Sequence, residues 1–326
     1  MSFNLPKGSG DQRTLFNLSG SAQGYFIAQS CAQTTKPILV ICESIAQAQA
    51  LEVQTQFYLE KHTALKQFVD WETLPYDQFS PHQDIISERI ELLASLNDNK
   101  QQIVFCSINT LLNRLAPTSF IEQHAFSLKL NQTLDVDHFR TKLVQAGYQN
   151  VEAVYEHGDF TVRGAIIDVF PMGSDLPVRI ERFDDEIETL RYFDPETQRS
   201  LEKITELTLL PGKEFSLTDE AVASFRSRFR DQFDVNTKDC PMYQDISQGI
   251  VPAGIEYYLP LFFDQTSHFF DYLSDDWLMI CSENLETSMD KQLIDIHQRY
   301  ENHRHNVIHP ILPPDNLFFN KEAFFK

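Results

Sequence analysis

Positive charge is scarce in this chain. Its 326 residues hold 27 lysines and arginines against 47 aspartates and glutamates, a formal net charge of −20. Affinity for a DNA duplex rests largely on cations laid against phosphates. The balance therefore disfavours autonomous DNA binding and leaves room only for a local basic patch. Long apolar runs are also missing, and none approaches the roughly 20 residues a membrane helix needs. The opening MSFNLPKGSGDQR has no apolar signal core. Cysteine is sparse: Cys31, Cys42, Cys106, Cys240 and Cys281 form no CxxC pair. Cys42, Cys106 and Cys281 lie in or beside apolar segments, where free cysteine behaves as a small hydrophobe. A reducing, cytoplasmic setting fits that usage. Gly-x-Ser-x-Gly, HExxH and a Cys/His nucleophile constellation are all lacking, so the common hydrolase chemistries have no footing. His303, His305 and His309 are neighbours, but their spacing matches no standard zinc motif and no cysteine accompanies them. Repeats, heptads and low-complexity tracts are absent.

The chain is longer than one average domain and can bury more than one core. Pro37 opens the run Ile38-Leu39-Val40-Ile41-Cys42, the composition of a parallel strand buried on both faces. Before it, Thr14, Leu15 and Phe16 read as a first strand leading into the small-residue turn Ser19-Gly20-Ser21. Residues 44–61 read as a helix and residues 103–106 as another buried strand. Strands alternating with helices predict a parallel α/β sheet. Residues 84–96 form a helix whose apolar stripe is Ile86, Ile90 and Leu93. Just ahead of it, Trp71, Tyr76 and Phe79 stand among loop residues. Such aromatics can stack on bases, but the segment is too short for an extended hairpin, and packing of Trp71 and Tyr76 is expected. Residues 137–146 form an amphipathic helix stopped by Gly147. Thr218 caps a further helix with the stripe Val222, Phe225, Phe229 and Phe233. Its arginines, Arg226, Arg228 and Arg230, read as a solvated face. Residues 234–247 read as a loop, residues 277–281 as a strand and residues 285–300 as a helix.

Residues 157–194 carry the densest signal and read as three consecutive strands. The first is a long one over residues 159–170, with Gly164 permitting a bulge. The second is 178–183 and the third 187–193, joined by Asp184-Asp185-Glu186, whose adjacent acids read as solvated charge. Successive side chains point to opposite faces. Val178 and Ile180 therefore share one face, and Arg179, Glu181 and Phe183 the other. Two assignments follow. Either Phe183 is core and the arginines are solvated, or Val178 and Ile180 turn inward and Phe183 stands outside beside Arg179. The second is the composition of an interface hot spot. Arg163 also points away from the core of the first strand.

Several segments resemble a known family. They are RGAIIDVFPMGSDLPVRIERFDDEIETLRYFD within the central stretch, DWETLPYDQFSPHQDIISERI at 70–90, INTLLNRLAP at 108–117 and PAGIEYYLPLFF at 252–263. Together they resemble the UvrB-like N-terminal region of the bacterial transcription-repair coupling factors. The resemblance implies an α/β chain: a degenerate P-loop (RecA/helicase-like) parallel-sheet domain, an inserted α+β domain and a further small α/β domain. Its implied boundaries are 1–118, the insert at 119–210, a return to the first domain at 211–248, and 249–326. It implies UvrA as partner, docked on Arg163, Arg179 and Phe183.

UvrB-type enzymes carry a P-loop whose lysine reaches the phosphates and whose hydroxyl holds Mg²⁺. Set against that pattern, residues 17–24 are a degenerate, non-functional site that includes Gly20: Asn17 replaces the opening glycine, Gln23 occupies the lysine position and Gly24 replaces Ser/Thr. Cys281 and Ser282 fall where the acid pair of the second motif belongs, with Glu283 one step late. The charge and metal ligand that phosphoryl transfer requires are gone. The expectation is a non-catalytic module with no cofactor in this region. ATP and Mg²⁺ are expected only in a C-terminal motor beyond Lys326, as are contacts with RNA polymerase and DNA. Docking on that C-terminal half is also compatible, and no membrane partner is expected. The rival from another class is an active UvrB-like, DNA-dependent ATPase that binds damaged DNA.

Overall fold

The computed structural model describes residues 4–6, 8, 10–59, 63–97 and 100–324. In chain order, the first elements are α1 (Ala22–Gln33), β1 (Ile38–Cys42), α2 (Ile45–Tyr58), β2 (Ala64–Phe68), α3 (Gln83–Ser95), β3 (Gln102–Ser107), α4 (Ile108–Leu111) and α5 (Thr118–His124). A strand-rich stretch follows: β4 (Phe126–Lys129), α6 (Val136–Gln145), β5 (Gln149–Asn150), β6 (Asp159–Arg163), β7 (Ile166–Val169), β8 (Val178–Phe183), β9 (Glu186–Phe193), β10 (Ser200–Ile204) and β11 (Glu206–Leu209). The chain continues through α7 (Asp219–Gln232), α8 (Pro241–Ser247), β12 (Leu278–Cys281), α9 (Leu285–His303), α10 (Pro314–Leu317) and α11 (Lys321–Phe324). The fold is mixed α/β, with a four-stranded parallel sheet and an antiparallel-rich sheet region.

Two compact units result. The first comprises Met1–Asp70, Leu96–Leu111 and Leu273–Gln292. Its parallel sheet has the order β12-β1-β3-β2. Every residue of β1 and β3 is buried, as their unbroken apolar runs require. Ile27 and Cys31 of α1 and Ala48 and Leu51 of α2 close over Ile38, Val40, Ile103 and Phe105. The Ser44 side chain caps α2 by accepting from the Gln47 N–H at 3.2 Å. The expected end of that helix at Lys61 lies outside the described residues. β2 went unread because Lys66 and Gln67 interrupt the apolar period of a half-exposed edge strand. The strand expected at residues 14–16 does not form: residues 11–19 have no regular structure, and Leu15 and Phe16 are exposed.

The second unit comprises Trp71–Ser95, Leu112–Tyr272 and Leu293–Lys326. Its six-stranded sheet has the order β10-β9-β8-β7-β6-β5, antiparallel except for the short β5–β6 pair, and β4 pairs with β11 as a separate ribbon. The expected long strand at 159–170 is instead a hairpin, β6–β7, turning through Gly164 and Ala165 with Arg163 opposite Ile166. Gly164 has φ 61°, which suits the first position of a tight hairpin turn. The expected loop at 234–247 contains α8, started by Pro241 and anchored by buried Met242, Tyr243 and Ile246. Its polar residues hid that stripe. Trp71 and Tyr76 are both buried, as expected. Phe225 and Phe229 of α7 are fully buried against Tyr243, and Thr218 caps that helix.

Polar groups are buried in the second unit too. Glu214 accepts from Arg89 and from the Trp71 indole, each at 2.9 Å. Glu256 accepts from the Ser80 hydroxyl at 2.8 Å, and burial pushes its carboxyl up to about 7. Among the described residues no helix is long and apolar enough to cross a membrane, and no His/Cys/Asp/Glu group could hold a metal ion.

Candidate docking site

β6, β7, β8 and β9 have one inner and one outer face. Phe160, Ile167, Val178, Ile180 and Leu190 line the inner face, and all are fully buried. Their alternates, Thr161, Asp168, Arg179 and Arg191, form a cross-strand row on the outer face: Thr161 opposes Asp168, Asp168 opposes Arg179, and Arg179 opposes Arg191.

Asp168 is fully buried and accepts from two arginines. Arg179 reaches it bidentately, Nε to Oδ1 at 2.7 Å and Nη2 to Oδ2 at 2.9 Å. Arg163 donates from Nη2 to the same Oδ2 at 2.6 Å. Such forked, charge-assisted bonds are the strong ones. The hydrogen bond to Asp168 holds the Arg179 guanidinium above its usual pKa, against the effect of burial. Arg179 Nη1 also donates to the Gln198 carbonyl at 3.2 Å, and its guanidinium lies 4.7 Å from the centre of the Phe193 ring. Its side chain is 14% exposed, against 52% for Arg163.

Phe183 ends β8 with 71% of its surface in solvent. The chain turns directly after it, with Asp184 at φ 51°. Arg182 ties this turn to the one at Gly164: its N–H donates to the Ala165 carbonyl at 3.0 Å, and its guanidinium to the carbonyls of Asp184 at 3.1 Å and Gly164 at 3.4 Å. Phe183 therefore follows directly on a residue bonded to the β6–β7 turn. Close by, Glu181 accepts from Thr189 at 2.6 Å and lies 3.9 Å from Arg191.

Of the two assignments of this face, the outward one holds for Phe183. Arg179 points outward as alternation requires, yet it is largely covered rather than solvated. Asp168 escaped the sequence reading. The one available signal was a lone acid inside the apolar run Ile166-Ile167-Asp168-Val169-Phe170.

The residues of the degenerate nucleotide motifs lie in the first unit. Gly20, at φ 56°, turns the chain into α1, and Gln23 Nε2 donates to the Leu18 carbonyl at 3.2 Å. Gly24 is buried where α1 crosses α2. A Cβ there would stand 2.5 Å from Gln54 Cβ and 2.9 Å from the Thr55 backbone nitrogen. Cys281 and Glu283 are exposed, and the Ser282 hydroxyl donates to Gln47 at 3.0 Å.

An aromatic ring and a half-exposed arginine turned outward from an antiparallel sheet have the composition of an interface hot spot. A family described as the UvrB interaction domain matches residues 126–215, which contain this whole face. The transcription-repair-coupling factor of Escherichia coli K12 is 39% identical over 324 residues, covering 99% of this chain and 28% of that protein. The Haemophilus influenzae protein of the same description is 38% identical over 318 residues, covering 97% of this chain and 28% of its own length. That of Rickettsia bellii is 28% identical over 312 residues, or 92% of this chain. The chain thus spans little more than a quarter of the length of these relatives. Over nearly its whole length it is related to the N-terminal region of the transcription-repair coupling factors, and it carries their UvrB-type interaction domain.

Proposed function

We propose that the chain is a non-catalytic, UvrB-like interaction module of a transcription-repair coupling factor. It recruits UvrA to lesions where RNA polymerase has stalled, in the cytoplasm. Residues 119–210 carry the docking surface, built from Arg163, Arg179 and Phe183, of which Phe183 and Arg163 are the more exposed. The remaining segments, 1–118, 211–248 and 249–326, form the scaffold. The observation that carries this reading is Phe183, a large ring left 71% exposed on a sheet face that also carries a half-exposed arginine, inside the matched domain. Burying such an anchor at an interface yields most of the binding energy.

The first unit is read as a degenerate P-loop domain. Gln23 supplies no charge at the lysine position, and α2 leaves no space for a hydroxyl at Gly24. ATP, Mg²⁺, DNA and RNA polymerase are handled elsewhere in a full-length coupling factor.

Retention of the purified chain on immobilised UvrA tests the proposal. The unchanged chain should be retained, and Phe183→Ala and Arg163→Ala should each weaken binding about tenfold or more. Equal retention of all three would refute the docking patch. Phosphate release from Mg-ATP, with and without DNA, should stay at background. DNA-stimulated turnover would establish the rival ATPase instead.

A further inference from the structure

We infer that Asp168 and Arg179 are a positioning pair for docking, and that they act by aiming Arg163. The inference rests on the docking reading above and divides the labour within it. A guanidinium has five N–H donors. Arg179 uses three of them on Asp168 and the Gln198 carbonyl and lays its face on Phe193. With its side chain 14% exposed, it has little left to offer a partner. Arg163 gives one donor to Asp168 Oδ2, keeps the others, and is 52% exposed.

Charge leads to the same division. One buried carboxylate faces two cations, so the cluster has a surplus positive charge. The closed Asp168–Arg179 fork leaves that surplus on Arg163, at the tip of the β6–β7 hairpin. An arginine side chain otherwise samples many rotamers, and ordering it on binding costs affinity. The bond from Asp168 Oδ2 removes part of that cost beforehand. The group presented outward is a fixed cation on the same sheet face as Phe183, which fits an acidic side chain on UvrA.

A purely structural role for Asp168 would also make it sensitive to substitution, so the test is a double-mutant cycle read by UvrA affinity. The variants are Asp168→Asn, Arg163→Ala and the pair, each checked for a cooperative urea transition. Asp168→Asn alone should weaken binding about tenfold, and in the Arg163→Ala background it should weaken binding by less than about twofold. If Asp168→Asn does not fold, Arg179→Met takes its place in the same cycle, with the same expected pattern. Losses that multiply in the double variant would overturn the inference while the docking reading stands. Equal affinity of Asp168→Asn and the unchanged chain would do the same. Failure of the unchanged chain to bind UvrA would overturn both.

Discussion

Ile180 and Phe183 lie three positions apart on β8 and have opposite fates. Ile180 is fully buried between its cross-strand partners Ile167 and Leu190, whereas Phe183 is 71% exposed. Truncating a buried isoleucine to alanine forfeits its transfer free energy and leaves a cavity, about 2–5 kcal/mol together. Truncating a ring that is already mostly in water should change stability by no more than about 0.5 kcal/mol. Urea unfolding separates the two. With a slope of about 2–3 kcal/mol per molar, Ile180→Ala should lower the midpoint by about 1 M and Phe183→Ala by less than about 0.25 M. The two units need not unfold together, so the probe must report on the second alone. Trp71 emission in a Trp277→Phe background does so, because Trp71 lies in the second unit and Trp277 in the first. A midpoint for Phe183→Ala as low as that for Ile180→Ala would mean the ring is part of the core, and the assignment of faces would fall.

Three further outcomes are expected. Burial raises the Glu256 carboxyl to about 7, with Lys213 and Glu214 as the charged groups acting on it. The folded chain then holds this proton more tightly than the unfolded chain does, so Glu256 costs stability progressively as pH rises from about 4.5 to 7, on the order of 3 kcal/mol in all. Glu256→Gln should flatten that part of the urea stability–pH curve and be the more stable form at pH 8; parallel curves would contradict it. Gly24→Ser should destabilise the first unit by about 1–3 kcal/mol, because the added Cβ meets α2 backbone that cannot yield; Trp277 emission in urea measures it. Titration calorimetry should detect no Mg-ATP binding by the chain or by the Gln23→Lys/Gly24→Ser variant, and saturable heat would contradict the reading of a lost site.

Much of the fold was legible where local chemistry decides it. Continuous apolar runs gave β1 and β3, the cap at Thr218 gave the start of α7, and Phe225 and Phe229 gave the stripe that α7 buries. Elements that break their own pattern were missed: β2 with its internal Lys66 and Gln67, and α8 with its apolar residues set among polar ones. Gly164 was recognised as special, but a bulge and a hairpin turn have the same local composition, and only the pairing of Arg163 with Ile166 distinguishes them. The site divides along the same line. Alternation places Arg179 and Phe183 on the outer face, but parity sets direction and not exposure. Whether an outward side chain is free depends on distant partners. Phe193 and Gln198 cover Arg179, and nothing covers Phe183. The buried acid that gathers both arginines depends on tertiary contacts that no periodicity encodes.

The most direct measurement is the affinity of purified UvrA for the chain carrying Phe183→Ala, taken beside its urea midpoint. A docking role for the ring predicts a Kd weakened about tenfold or more with the midpoint unmoved. An unchanged Kd, with the unaltered chain binding normally, would contradict it.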